Sequence, residues 1–150
     1  MADPTPTTRR GDDAKGIRCV IVTPESTSLD THARSVVLPL FDGQRGVARG
    51  HAPFIGRLGA GEVRIVGEAG GRDDSERGVF VEGGFVEVGH DAVTVITQRA
   101  VPTTSIDAAA ARAELERIRS AAAKGDEAID AKMRSESSAR ELLRAASRSR

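Results

Sequence analysis

Gly46-Val-Ala-Arg-Gly-His-Ala-Pro-Phe-Ile-Gly-Arg-Leu-Gly-Ala-Gly-Glu-Val-Arg-Ile-Val66 decides the fold. Glycines at 46, 50, 56, 59 and 61, with Pro53, cut it into short pieces, and Glu62–Val66 begins to alternate polar and apolar. That is the pattern of small β-structure, in which each strand buries one face and each Gly or Pro turns the chain. Gly50-His-Ala-Pro53 reads as a turn, with Gly50 supplying a positive φ and Pro53 fixing the exit. A metal needs further ligands at ligand spacing, and His32 and His90 stand alone in other segments.

Working outward, 150 residues bound one domain or one domain with an appendage. Lys+Arg and Asp+Glu each number 22, so no general charge draws the chain to nucleic acid or anionic lipid. The single Cys19 excludes an intramolecular disulfide and reads as a buried thiol in a reducing compartment. No apolar run approaches the ~18 residues of a spanning helix, and the polar N-terminus with Asp3, Asp12 and Asp13 does not read as a signal peptide. The expectation is a soluble intracellular chain, able to join a membrane complex through protein partners. With no Trp or Tyr and four Phe, the core must be Val, Ile, Leu and Ala, which suits a thin sandwich better than a deep catalytic cleft.

Residues 1–16 lack periodicity and apolar content and are expected to form a disordered tail. Ile17–Thr23 is the first strand, and Ser35–Leu38 is a second, with Pro39 marking an edge or exit. Asp42-Gly43 is a turn signal. Gly67–Gly78 lacks Gly-Lys-Ser/Thr and reads as a hairpin connection rather than a phosphate loop. Val79–Glu82, Phe85–Val88 and Ala92–Thr97 read as three closely spaced antiparallel strands, with Gly83-Gly84 a bulge or tight bend.

Past Pro102 the period changes. Thr104-Ser-Ile-Asp107 reads as a capping box with Thr104 as the cap. Ala111, Leu115, Ile118 and Ala122 give one helical stripe; Gly125-Asp126 stops and restarts the chain; Ile129, Met133, Ala139, Leu142, Leu143 and Ala146 give the second. The two form an antiparallel hairpin that, being alanine-rich, is expected to dock weakly. Its end is basic: Lys132, Arg134, Arg140, Arg144, Arg148 and Arg150 against Glu136 and Glu141, either a solvated face or a site for an acidic partner.

From Ile17 onward the chain resembles the epsilon subunit of the rotary F-type ATP synthase. The resemblance rests on Ile21-Val-Thr-Pro-Glu25, Val36-Val-Leu-Pro39, Gly46 with Gly50-His-Ala-Pro53, Gly61-Glu-Val-Arg64 and Gly83-Gly-Phe-Val-Glu-Val88, in that order and spacing, ahead of the helical hairpin. It implies an α+β chain in two parts: an N-terminal antiparallel β-sandwich of about ten short strands over 17–102, then a C-terminal two-helix hairpin over 103–150. It also implies a non-catalytic, cofactor-free rotor subunit of the central stalk, peripheral on the cytoplasmic face, coupling proton flow to ATP synthesis. Its partners would be the gamma subunit, the membrane rotor c-ring and, through the hairpin, the catalytic beta and alpha subunits.

Carried over by position, the ring-facing loop is Asp42, Gly43, Gln44 and Arg45, where the family commonly has an acidic residue at 44 and an apolar one at 45. Gly50, His51, Ala52 and Pro53 form the structural turn of the motif. Lys132, Arg134, Arg140 and Arg144 would meet the catalytic head when the hairpin extends, restraining ATP hydrolysis. Some relatives bind ATP through an Asp-x-x-Arg pattern. Here Asp107 is present, position 110 is Ala and the first arginine is Arg112. Two residues turn a helical side chain by ~200°, so the pattern is broken and Asp107 and Arg112 are its remnants. The alternatives are a stand-alone β-sandwich module that self-associates through its hairpin, and a small barrel enzyme built on His51, which lacks the expected His-x-His.

Overall fold

A computed structural model describes residues 16–68 and 75–148. The expected disordered tail, Gly16 excepted, and the centre of the Gly67–Gly78 connection lie outside the described residues. Seven strands precede two helices: β1 (Ile17–Val22), β2 (Thr27–Leu40), β3 (Gly43–Ala48), β4 (Phe54–Glu68), β5 (Glu76–Gly89), β6 (Ala92–Ile96), β7 (Ala100–Pro102), α1 (Ala108–Ser120) and α2 (Asp126–Arg148).

The sheet order β1-β6-β5-β4-β2-β3, with β1 also paired to β2, makes a closed circuit of five strands carrying β3 and β7 on its sides. Closure leaves few raw edges. Every pairing is antiparallel except β1 with β6, which is parallel. Alternate residues of these strands fill the interior, among them Cys19, Ile21, Val36, Leu38, Val63, Val81, Val86, Val93 and Val95. The sandwich with helical hairpin is thus as expected, but from fewer and longer strands. Residues 27–33 extend β2 because they pair with β1. Pro39 lies inside β2, where the ladder to β4 has its irregularity between Val37 and Leu40, so its missing N–H disturbs little. Gly83 and Gly84 do not divide two strands: both take positive φ (74° and 110°) while the register with β4 runs on unshifted. They bend one strand without a bulge, and β5 pairs β7 before the bend and β6 after it.

The helix start differs from the expected box. Thr103–Ser105 is a 3₁₀ turn, and Asp107 is itself the N-cap of α1, its Oδ1 accepting from the N–H of Ala109 at 2.9 Å and of Ala110 at 3.2 Å. An aspartate carries both the acceptor and the charge that a helix N-terminus favours, so it displaces the threonine three residues earlier. Buried residues of α2 (Ala139, Ala145, Ala146) lie in its C-terminal half, whereas Ile129 and Met133, expected in the packing stripe, are exposed.

The sandwich supplies the bulk that the helices lack. Phe80 is fully buried, yet it points to the opposite face of β5 from Val79 and Val81, which are in the core. That face carries its cross-strand partner Glu62, which meets Arg148 of α2. Phe80 is therefore buried beneath the hairpin, large against small.

Candidate interaction surfaces

The β2–β3 turn places Asp42, Gly43, Gln44 and Arg45 at an exposed corner, with Gly43 at φ 137°. Gln44 pairs with Pro39 and Arg45 with Leu38, so the loop sits on a regular ladder. The Arg45 guanidinium lies 5.2 Å from the centre of the Phe54 ring, a cation–π contact that orients it. Gln44 also borders a crevice with Glu62, Glu141, Arg144 and Arg148, bringing this corner next to the end of α2.

At the β3–β4 connection the His51 N–H donates to the carbonyl of Ala48 at 3.1 Å, with Gly50 at φ 82° in the third position of the turn. His51 Nδ1 donates to the Ala52 carbonyl at 2.8 Å, and the ring stands edge-on to Phe54 at 5.3 Å. The Gly50 N–H donates to Asp91 Oδ1 at 2.8 Å, and Arg49 pairs with the same carboxylate. Gly50, His51 Nδ1 and Arg49 thus have structural roles in this turn. Among the described residues no cluster of three or more His, Cys, Asp or Glu could hold a metal.

The basic face of the hairpin is largely neutralised within the folded chain. Lys132 Nζ donates to the carbonyls of Arg119 and Ala121, both at 2.8 Å, and so closes the C-terminus of α1. Arg140 pairs with Glu136 and Arg144 with Glu141. Glu136 also takes Arg119, whose hydrogen bond is the main cause of its lowered proton affinity. Over α2 as a whole, five cations balance five carboxylates, with Asp126, Glu127 and Asp130 near its start. This order complements the helix dipole, so the basic end has a helix-stabilising cause of its own. Asp107 is occupied as a cap, while Arg112 is exposed farther along α1.

Two surfaces escaped the sequence reading. One is the outer face of β4, β5 and β6, where Ile55 is 78 % exposed, Phe85 58 % and Ile96 56 %. Phe85 faces Ile96 on one side and Arg57 on the other, and Arg57 stacks 4.8 Å from the Phe41 ring. The signal was available: with Val86 and Val88 facing inward, alternation sends Phe85 outward. The other is Glu62 with Phe80, which no alternation reveals, because only the docked hairpin covers that face.

A family model described as ATP synthase, delta/epsilon chain, beta-sandwich domain matches residues 16–103. An ATP synthase epsilon chain from Rhodopirellula baltica is 53 % identical over 91 residues, 61 % of this chain and 67 % of that one. An ATP synthase epsilon chain from Synechococcus sp. (strain JA-2-3B'a(2-13)) is 33 % identical over 129 residues, 84 % of this chain and 90 % of that one. The second match is too long to be confined to the strands. Among solved structures, a chain of the Euglena gracilis mitochondrial ATP synthase superposes with a TM-score of 0.76 at 19 % identity, covering 97 % of this chain and 90 % of its own. That likeness shows the shared fold. None of these comparisons supports a stand-alone, self-associating module. On the sandwich match and on identity running through most of both chains, this chain belongs to the ATP synthase delta/epsilon family, on its epsilon side, whose members are non-catalytic subunits of that enzyme.

Proposed function

We propose that the chain is the coupling collar of a rotary ATP synthase stalk. The sandwich grips the gamma subunit, the corner Asp42–Arg45 rests on the membrane rotor ring, and ion flow through that ring, expected to be of protons, reaches the catalytic head through this joint. The chain works as a peripheral component on the cytoplasmic face; no helix of the described residues is long and apolar enough to cross a membrane.

The observation that carries this reading is the outer apolar face. Ile55, Phe85 and Ile96 are adjacent on one side of a sheet whose other side is already packed, and contiguous exposed apolar groups with an aromatic centre mark protein contact. Phe85→Asp removes the aromatic centre of that patch and puts a hydrated carboxylate in its place, so capture of purified gamma should fall about thirtyfold or more. Unchanged capture would remove this face from the contact.

The hairpin is the regulatory part of the reading. Lifted from the sandwich, it would present Arg134, Arg140 and Arg144 to acidic segments of the catalytic beta and alpha subunits and restrain hydrolysis. Arg140 and Arg144 must then exchange Glu136 and Glu141 for the new partners, a trade between exposed pairs of small individual worth. Lys132 would remain at the C-terminus of α1 for as long as the two helices stay paired. Deleting residues 105–150 should raise ATP hydrolysis by the reconstituted enzyme; an unchanged rate would exclude inhibition by the hairpin.

A further inference from the structure

The outer apolar face has a cation in its middle. Register sets Ile96 of β6 opposite Phe85 of β5, and Phe85 opposite Arg57 of β4. Residues paired across a ladder share one face of the sheet. On the far side of Arg57 its guanidinium meets the ring of Phe41, the residue just past the end of β2, which is 71 % exposed. Ile96, Phe85, Arg57 and Phe41 therefore stand in one row, with Ile55 two residues from Arg57 along β4 on the same face. Arg57 has a phenyl ring on each side and is not at the rim of the patch.

Two contacts fix where that cation stands. The Phe41 N–H donates to the Arg57 carbonyl at 2.9 Å, and the guanidinium lies 4.8 Å from the centre of the Phe41 ring. Cation–π attraction thus turns the side chain toward the end of β2 and away from β5. The carboxylates near it along ladder and chain are Glu87, which faces Ile55 from β5, and Asp42, next to Phe41. Among the described residues Arg57 forms an ion pair with neither. Arg64, Arg99, Arg140 and Arg144, by contrast, each hold a glutamate. A guanidinium laid on a ring keeps its N–H edge free and held in one plane, the arrangement that takes a carboxylate bidentately. In the free chain water solvates that edge. A partner that covers the apolar row expels the water, and a desolvated cation without a counter-charge opposes binding.

We infer that the surface which covers this face is apolar with one carboxylate set to receive Arg57, and that Arg57 is the specificity contact of the gamma interface. The inference rests on the reading that gamma occupies the face, and it adds the chemistry that gamma must carry there. Phe85 and Ile96 supply the buried area, and Arg57 decides which surface can bury it. Lysine is no substitute, since an ammonium has neither the plane that lies on Phe41 nor the fork that grips a carboxylate.

The test is capture of purified gamma by the full chain. Arg57→Met keeps bulk over Phe41 but leaves the opposing carboxylate unanswered, and should weaken capture about thirtyfold. Arg57→Glu should weaken it further, and Arg57→Lys should recover only part of the loss. Each aspartate and glutamate of gamma is then changed singly to arginine. One of these changes should weaken capture by the parent and restore capture by Arg57→Glu about tenfold or more. Arg57 is exposed, so its variants should melt within about 3 °C of the parent, which separates lost contact from lost fold. If Phe85→Asp abolishes capture while Arg57→Met leaves it unchanged, the pairing is overturned and the face stands. The same holds if no reversal in gamma rescues Arg57→Glu. Unchanged capture by both Phe85→Asp and Arg57→Glu overturns the face and the pairing together.

Discussion

Gly84→Ala is the sharpest perturbation of the fold that presents the exposed Phe85 face. Gly84 adopts φ 110°, and a Cβ added there would collide with the carbonyl oxygen of Ile96, at 3.0 Å from the Ile96 carbonyl carbon and 3.1 Å from Thr97 Cα. Those atoms are backbone, and Ile96 is held in the ladder by its pairing with Phe85, so neither can swing aside. A non-glycine residue in such a backbone region costs ~1–3 kcal/mol. Overpacking against fixed atoms adds ~1–3 kcal/mol, which together suggests about 4 kcal/mol. For a sandwich of fewer than 100 residues that is a fall in Tm of roughly 20 °C, at ~5 °C per kcal/mol. The control is Gly59→Ala on the neighbouring strand, where the nearest atoms lie at 3.7–3.9 Å and φ is not positive; it should shift Tm by less than about 3 °C. Thermal unfolding followed by circular dichroism reads both. If Gly84→Ala melts within 3 °C of the parent, the bend in β5 does not need glycine. The account of how Phe85 is aimed outward then fails.

Five further outcomes are expected. Phe80→Ala should empty the space under the hairpin and destabilise the closed form by ~3–5 kcal/mol, seen as faster amide exchange in α1 and α2 than in β1 and β6; uniform loss across the chain would place Phe80 in the sandwich core instead. Burial, with Asp30 assisting, pushes the Cys19 thiol up to about 12, so at pH 8 only ~1 in 10,000 is thiolate and alkylation should wait for denaturant; rapid labelling of the native chain would contradict that burial. The hydrogen bond from Arg18 chiefly holds the Asp30 carboxyl below its ordinary value, so its contribution to stability is complete above about pH 4 and is lost as pH falls through the lowered value; Asp30→Asn should flatten that part of the acid-denaturation curve, and an unchanged curve would deny the pair any role. Asp107→Ala removes the cap of α1 at a cost of ~1 kcal/mol, and calorimetric titration of the parent with ATP should show no binding heat at millimolar levels, since Ala110 stands where the pattern needs arginine.

Much of the architecture was readable because short-range rules agreed with the global fold. The alternation over Glu62–Val66 and the apolar runs Ile17–Thr23 and Ala92–Thr97 marked strands that carry the core residues Val63, Ile65, Cys19, Ile21, Val93 and Val95, and Gly125-Asp126 marked the helical turn. Strand number was less readable, since Gly83-Gly84 has the composition of a connection yet bends a continuous ladder. The cap shifted because Thr104 and Asp107 can both serve, and only the 3₁₀ turn over Thr103–Ser105 decides between them. For the interaction surfaces, the sequence pointed to charge where the structure shows exchangeable pairs: Arg140 and Arg144 are committed to glutamates one turn away. Glu62 and Phe80 were invisible, because their part of the outer face of β4 and β5 is covered by α2, whose Arg148 lies 86 residues beyond Glu62.

Co-purification with gamma tests the central claim most directly. The full chain, co-expressed with the gamma subunit of the same cell and isolated through a tag on either, should emerge as a one-to-one pair, and Phe85→Asp should dissolve it. Recovery of the chain alone as a symmetric oligomer, with gamma left behind, would contradict its place in a rotary stalk.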